Sequence, residues 1–261
     1  MIAAQKIKDA TTATAAFAVL AFLYFPLVII IWYSFNGDPT NSFPIRNYSF
    51  KWYSILANDA ELLRTVKNSV TVAIIATLSG LCIGLPAAYG MHKFSFPGKQ
   101  LLQRIILMPI TLPGIVTGVS MLSFFPLIGV HLSLTAVTIG HITFLIAIVI
   151  TQLLARFKRL DPFLEQAAFD LGATPTKTFF TVILPNIRTA IIGAVLLCLV
   201  LSMDEIPVTF FLIARENTLP IQIYGMMRRG ITPEVNAIST LIFLVSVTAI
   251  LLSMRLNKQQ A

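Results

Sequence analysis

Between Arg104 and Arg156 the chain runs for 51 residues, 105–155, without one Asp, Glu, Lys or Arg. A helix that meets water needs a polar face, so a run with no charge over that length must be covered by protein or by lipid on every side. Further uncharged runs occupy residues 10–37, 68–92, 189–203 and 235–254. With 56% hydrophobic residues, 11% charged residues and a mean hydropathy of +0.83, the chain has too few polar groups for a soluble domain and too much apolar material for a disordered one. It reads as an all-α integral membrane protein. A membrane β-barrel would show ten-residue segments of alternating polarity, and these runs are continuously apolar.

About 20 apolar residues carry a helix across roughly 30 Å of hydrocarbon. The first, second and last runs each hold one span. The longest holds two, broken between Pro126 and Gly129, and the 15-residue run needs to continue past Asp204 and Glu205 to Phe211 to be long enough. Six spans are therefore expected, at about 12–35, 69–91, 104–125, 134–155, 189–211 and 236–254, with residues 1–261 forming a single membrane domain. The apolar N-terminal region is longer than a signal-peptide core and lacks a small-residue cleavage site, so it stays as the first span.

An even number of crossings puts both termini on one side. That side collects Lys6, Lys8, Lys93, Lys99, Arg104, Arg156, Lys158, Arg159, Lys177, Arg188, Arg255 and Lys258 against Asp9, Asp161, Glu165 and Asp170, which is 12 cations against 4 acids. The opposite side carries 7 of each, so the whole +8 excess lies with the termini, and the positive-inside rule places them in the cytoplasm. The basic residues are scattered at span ends rather than gathered on one face, which removes nucleic acid as a partner and leaves membrane lipid.

Helix packing leaves its own marks. Gly80 and Gly84, and Gly114 and Gly118, are small residues four apart that let helix backbones approach closely in lipid. Pro86, Pro109 and Pro113 each remove a backbone donor inside an apolar run, which either lines a wet pathway or simply kinks a packed helix. Cys82 and Cys198 lie in apolar runs and read as space-filling thiols rather than a disulfide. Trp52 and Tyr53, beside Phe50 in the outer loop, are expected on a short surface helix at headgroup level.

Residues 161–185, between the fourth and fifth spans, are the most informative loop. Asp161 before Pro162 is a helix start, and Leu164, Ala167, Ala168 and Leu171 follow at the spacing of one helical face. Gly172 ends that helix in the left-handed conformation glycine adopts at least cost, and Thr174 with Pro175 opens a second one. A short helix that offers alanines suits insertion into a groove on a protein partner, whereas a helix lying among headgroups would favour Trp, Phe and Lys. Further along, Asp204 and Glu205 are adjacent carboxylates inside or at the outer edge of an apolar run. Such charges are costly in a membrane unless they face water or a partner. Asp204 and Glu205 are read as residues of the translocation pathway, with Asp204 lining its outer part and attracting a cationic substrate; the competing reading for Asp204 is a structural ion pair with Arg215 or a partner subunit.

No G-x-x-x-x-G-K-[ST] pattern occurs, so energy from a nucleotide must come through another polypeptide. Neither H-E-x-x-H, C-x-x-C nor G-x-S-x-G appears, and His92, His131 and His141 are too scattered for a haem bundle; no catalytic residue, cofactor or metal is expected.

Gln166, Ala167, Ala168, Phe169, Asp170, Leu171, Gly172 and Ala173, followed by Phe179, Leu184 and Pro185, resemble the EAA loop of binding-protein-dependent ABC importer permeases. The glutamate usual at the first motif position is Gln166 here, with Glu165 one residue earlier, and a proline often found at position 189 is Thr189. The resemblance covers most of the chain, including Trp52, Tyr53, Asn68 and Ser69. Residues 202–211, 218–220, 229–230 and 233–237 are similar to the spermidine/putrescine permease branch. What the resemblance implies is a type I ABC importer permease fold with six transmembrane helices, in a bacterial inner membrane, that is not itself an enzyme. It also implies a cytoplasmic coupling helix in which Glu165, Gln166, Ala167, Ala168, Leu171, Gly172 and Ala173 contact an ATPase. The implied partners are a second permease subunit, distinct from this one, two ATP-binding subunits and an extracytoplasmic substrate-binding protein. Alternatives are the same machine moving an opine, an aminophosphonate, ferric ion or thiamine, and an ATPase-independent secondary carrier.

Overall fold

The computed structural model describes the backbone of residues 2–258 and the side chains of residues 12–248. Of the cations and acids counted on the side of the termini, the side chains of Lys6, Lys8, Asp9, Arg255 and Lys258 lie outside the described residues. Twelve α-helices make up the described residues: α1 (Ile2–Tyr33), α2 (Lys51–Asn58), α3 (Ala60–Lys93), α4 (Lys99–Thr111), α5 (Gly114–Phe124), α6 (Leu134–Phe157), α7 (Phe163–Asp170), α8 (Pro175–Thr178), α9 (Leu184–Met203), α10 (Pro207–Leu212), α11 (Leu219–Arg229) and α12 (Pro233–Lys258). No strand is present among them, only an isolated bridge between Asn36 and Tyr48.

Among the described residues, four helical segments are long and apolar enough to cross a membrane: Thr12–Tyr33, Ala60–Lys93, Leu134–Phe157 and Pro175–Met203. A fifth is a bent pair, Lys99–Thr111 with Gly114–Ile128, turned by 101°. The segment expected as a span at about 104–125 lies within this bent pair, which runs from Lys99 to Ile128. Leu112 is extended at ψ 141° because the ring of Pro113 excludes the helical conformation from the residue before it. The expected break between Pro126 and Gly129 is a 3₁₀ turn, Phe125–Ile128, closed by Gly129 at φ +77°. The segment expected at 236–254 lies on α12, whose described apolar part is the shorter Pro233–Thr248.

The expectation over 189–211 changes at both ends. The helix begins at Pro175 and reaches Met203 through a π-turn, Phe179–Ile183, placed directly before Pro185. Widening the helix there accommodates a residue with no N–H and a ring that would strike the carbonyl four places back. The helix then stops at Asp204 instead of running to 211, because Pro207 repeats the same defect, and α10 begins with Pro207 as its first residue.

The chain divides into two compact units, one of residues up to Leu63 with those from Ile223 onward, the other Arg64–Gln222. Within the second, α6 is the buried axis, with Leu145, Val149, Leu153 and Phe157 at 1% exposure or less. Gly80 and Gly84 of α3 lie against it: a Cβ on Gly84 would stand 2.7 Å from Val149 Cγ1. Gly114 and Gly118 bring α5 equally close to α10, where added Cβ atoms would meet Pro207 Cβ at 2.9 Å and Phe211 Cδ2 at 2.7 Å. Both glycine pairs thus sit at close helix crossings. Cys198 fills the core, whereas Cys82 is exposed, and both are free thiols.

In the first unit α2 is the short helix expected near Trp52, but its aromatics turn inward rather than toward a headgroup layer. Trp52 Nε1 donates to the Asn36 carbonyl at 2.7 Å, and the Tyr53 hydroxyl meets Ser34 Oγ at 2.6 Å. The buried polar groups at the end of α1 need partners, and these two side chains supply them.

Candidate functional site

Two places in the second unit gather the residues singled out in the sequence. The first is the loop that begins at Asp161. Its Oδ1 accepts from the Phe163 amide at 2.9 Å, but the N-cap position falls on Pro162, so the helix starts one residue later than the Asp161-Pro162 pair suggested. At the other end Gly172, at φ +77°, donates to the Phe169 carbonyl at 2.8 Å, and Ala173 donates to the Ala168 carbonyl at 3.0 Å. That pair of bonds is the Schellman closure, which needs a left-handed residue where glycine stands. Thr174 Oγ1 then accepts from the Lys177 amide at 3.3 Å and opens α8 behind Pro175.

The apolar face proposed for α7 is split by its packing on the π-turn. Ala168 is buried and Leu164 half-buried, whereas Gln166, Ala167, Leu171 and Gly172 are exposed and Ala173 is half-buried. Leu171 is 88% exposed and Phe163 67%, so the short helix presents bulky apolar groups that nothing within the described residues covers.

Glu165 faces the other way. Its carboxylate accepts from Lys93 Nζ at 2.7 Å and from the Tyr89 hydroxyl at 2.9 Å, while Lys93 lies 5.4 Å above the Phe169 ring. Burial alone would raise the Glu165 pKa, but the hydrogen bonds from Lys93 and Tyr89 outweigh it and hold the carboxyl below its ordinary value. Tyr89 packs in turn on Phe179, ring centroids 4.9 Å apart. The result is a polar and aromatic joint between the last turn of α3, the start of α7 and the π-turn, around a cavity of about 370 Å³. Tyr89 and Lys93 were not anticipated as partners. Their spacing of four residues on one helix face, near a loop carboxylate, is the sequence signal that points to them.

The second place is the break between α9 and α10. Asp204 is exposed, and among the described residues it forms no ion pair, with Arg215 or otherwise. Glu205 is half-buried; its Oε1 accepts from the Val208 amide at 2.9 Å and caps α10. The two carboxylates expected to act together therefore differ: one is committed to the backbone and one is free. Asn68 and Ser69 secure the segment that follows α10, with Asn68 Nδ2 donating to the Asn217 carbonyl at 2.9 Å and the Leu219 amide donating to Ser69 Oγ at 2.8 Å.

The family model described as "Binding-protein-dependent transport system inner membrane component" matches residues 80–260. The chain is 32% identical over 239 residues to the spermidine/putrescine transport system permease protein PotC of Escherichia coli (strain K12), covering 90% of this chain and 89% of that protein. It is 34% identical over 229 residues to the putrescine transport system permease protein PotI of the same organism, covering 85% and 81%. Its fold matches the crystal structure of a bacterial ABC transporter involved in the import of the acidic polysaccharide alginate, with TM-score 0.72 at 16% identity over 98% of this chain and 97% of that one. With the family match spanning more than half of its length, and relatives above 30% identity over most of it, the chain belongs to the inner membrane components of binding-protein-dependent ABC transport systems.

Proposed function

We propose that the chain is the permease subunit of an ATP-driven polyamine importer, working as a single domain of six spans with both termini in the cytoplasm. The observation that carries the reading is the uncovered face of α7, closed by the Gly172 turn, on a chain that holds no nucleotide-binding pattern. One of two ATP-binding subunits grips that face. Gln166, Ala167, Leu171, Gly172 and Ala173 meet the motor subunit, while Ala168 seats the helix and Glu165 transmits its movement to α3 through Lys93 and Tyr89. A second, related permease completes the pathway, and a soluble binding protein delivers the substrate from outside. ATP binding closes the motor pair and rocks the spans as rigid bodies, exposing the pathway outward; hydrolysis resets it.

Two features support a polyamine as cargo: the similarity to proteins named for spermidine and putrescine transport, and a free carboxylate, Asp204, at the end of an apolar helix. An exposed carboxylate attracts a passing ammonium at 4 Å with about 1 kcal/mol, close to a fivefold effect on occupancy. The test is spermidine uptake by the reconstituted complex carrying Asp204→Asn. We expect about a fivefold loss of apparent affinity or rate, and unchanged uptake would remove Asp204 from the pathway. Failure of the chain to co-purify with a nucleotide-binding subunit would overturn the importer assignment itself.

A further inference from the structure

Behind the break that bears the two carboxylates runs a chain of buried polar atoms that the transport reading leaves unused. His141 lies in the first half of α6 at 1% exposure, within a charge-free stretch of that helix. Its Nδ1 is 2.7 Å from Ser202 Oγ in the last turn of α9, and its Nε2 is 2.9 Å from Thr209 Oγ1 on α10. Thr209 Oγ1 is also 2.9 Å from the main-chain carbonyl of Glu205. Ser202 and Thr209 are buried as well.

The protons on this chain follow from what each group is able to donate. A carbonyl only accepts, so the single hydroxyl hydrogen of Thr209 goes to Glu205. The Thr209 oxygen then meets His141 as an acceptor, and Nε2 must carry the imidazole hydrogen. Nδ1 is left with a lone pair and accepts the hydroxyl hydrogen of Ser202. One neutral tautomer satisfies every partner, and the donors run in one direction, from Ser202 through His141 and Thr209 to the Glu205 carbonyl.

The close approach this chain needs is built in beside it. A Cβ on Gly140 would lie 2.7 Å from Leu212 Cδ1 and 2.9 Å from Val208 Cγ1, so α10 rests almost directly on the α6 backbone. Glu205 is thereby held at two points, its side chain on the Val208 amide and its carbonyl on Thr209, while the neighbouring Asp204 stays free.

We propose that His141 is a positioning residue for the cation pathway: through Thr209 and the Glu205 main chain it sets how α10 leaves the break, and so where the carboxylates of Asp204 and Glu205 point. The inference rests on the reading of those two acids as pathway residues. His141 itself touches no substrate.

The test uses side chains that keep one end of the imidazole at a time. Glutamine places a donor where Nε2 stands and preserves the bond to Thr209; asparagine reaches only the Nδ1 position and preserves the bond to Ser202. Spermidine uptake is measured per assembled complex in proteoliposomes containing the permease pair, the ATPase and the binding protein. His141→Gln is expected within about twofold of the parent. His141→Asn is expected to fall roughly tenfold, the scale of one buried hydrogen bond left unmade, because the bond it loses is the one that reaches α10, whereas the bond glutamine loses reaches only Ser202 on α9. Thr209→Val and Thr209→Ser repeat the contrast from the other side, the serine retaining uptake, should a His141 variant fail to assemble. In a background of Asp204→Asn with Glu205→Gln, His141→Asn should cause no further loss. Equal impairment by glutamine and asparagine would overturn the relay, and so would an independent, multiplying loss in the doubly neutralised background. If neutralising both acids leaves uptake intact, the pathway reading fails first and the positioning role fails with it.

Discussion

Gly172 offers the sharpest test of the coupling helix, because its substitution isolates one physical term. At φ +77° the residue occupies a region that costs other L-residues about 1–2 kcal/mol, and a Cβ added there meets nothing within 4 Å. The penalty is therefore conformational and contains no clash. Gly172→Ala should lower the population of the closed turn by about 5–30-fold relative to the open chain. Asparagine enters the left-handed region more readily, so Gly172→Asn should cost less than alanine; the β-branched Gly172→Val should cost most. Substrate-stimulated ATP hydrolysis by the reconstituted complex should follow the order Gly, Asn, Ala, Val, with the valine variant uncoupled and the isolated ATPase unaffected. Normal coupling in Gly172→Val, or an asparagine variant as impaired as valine, would refute the argument that a left-handed turn carries the force.

Gly84→Val should lower the thermal unfolding midpoint of the solubilised protein by the equivalent of about 1–3 kcal/mol, since the new atoms enter the space of buried Val149; Gly90→Ala, where a Cβ meets nothing, should not destabilise. Leu171→Asp should reduce co-purification of the ATP-binding subunit without changing the stability of the permease, because the side chain is 88% exposed and contributes nothing to its own fold. Glu165 has a carboxyl held below its ordinary 4.5 by Lys93 and Tyr89, so the joint between α3 and α7 is complete above about pH 4.5 and weakens as pH falls through the lower folded value. A stability profile from pH 7 to pH 3 should show this loss in the parent and a flatter curve in Glu165→Gln; identical profiles would dismiss the joint.

Much of the coupling loop was legible because its determinants are local. Asp161, Gly172, Thr174 and Pro175 act on the backbone within three residues of themselves, so their spacing alone announces a cap, a left-handed turn and a second cap. The two glycine pairs were legible for a related reason: four-residue spacing is a property of the helix on which they stand. The breaks at Leu112 and at Asp204 were harder. An apolar run with a proline reads equally as a kinked span or as two helices, and the difference depends on whether a neighbour fills the opening. Pro86 lies in an unbroken α3, whereas Pro113 opens α5, whose Gly114 and Gly118 lie against α10 at Pro207 and Phe211. His141 enters the sequence reading only as one of three histidines too scattered for a haem bundle, although an ionisable group within an apolar run is a signal by itself.

The charge-free runs determined that this chain lives in a membrane as helices, and the local capping residues determined the shape of the loop that begins at Asp161, since both follow from bonds and solvation along a single segment. Which side of α7 is free, that Glu165 points to Lys93 rather than outward, and that Asp204 is left unpaired while Glu205 is tied down were decided only in the tertiary structure. Each of those depends on atoms more than 60 residues apart in the chain, or on which of two adjacent side chains the backbone consumes at a helix break, and no local pattern encodes either.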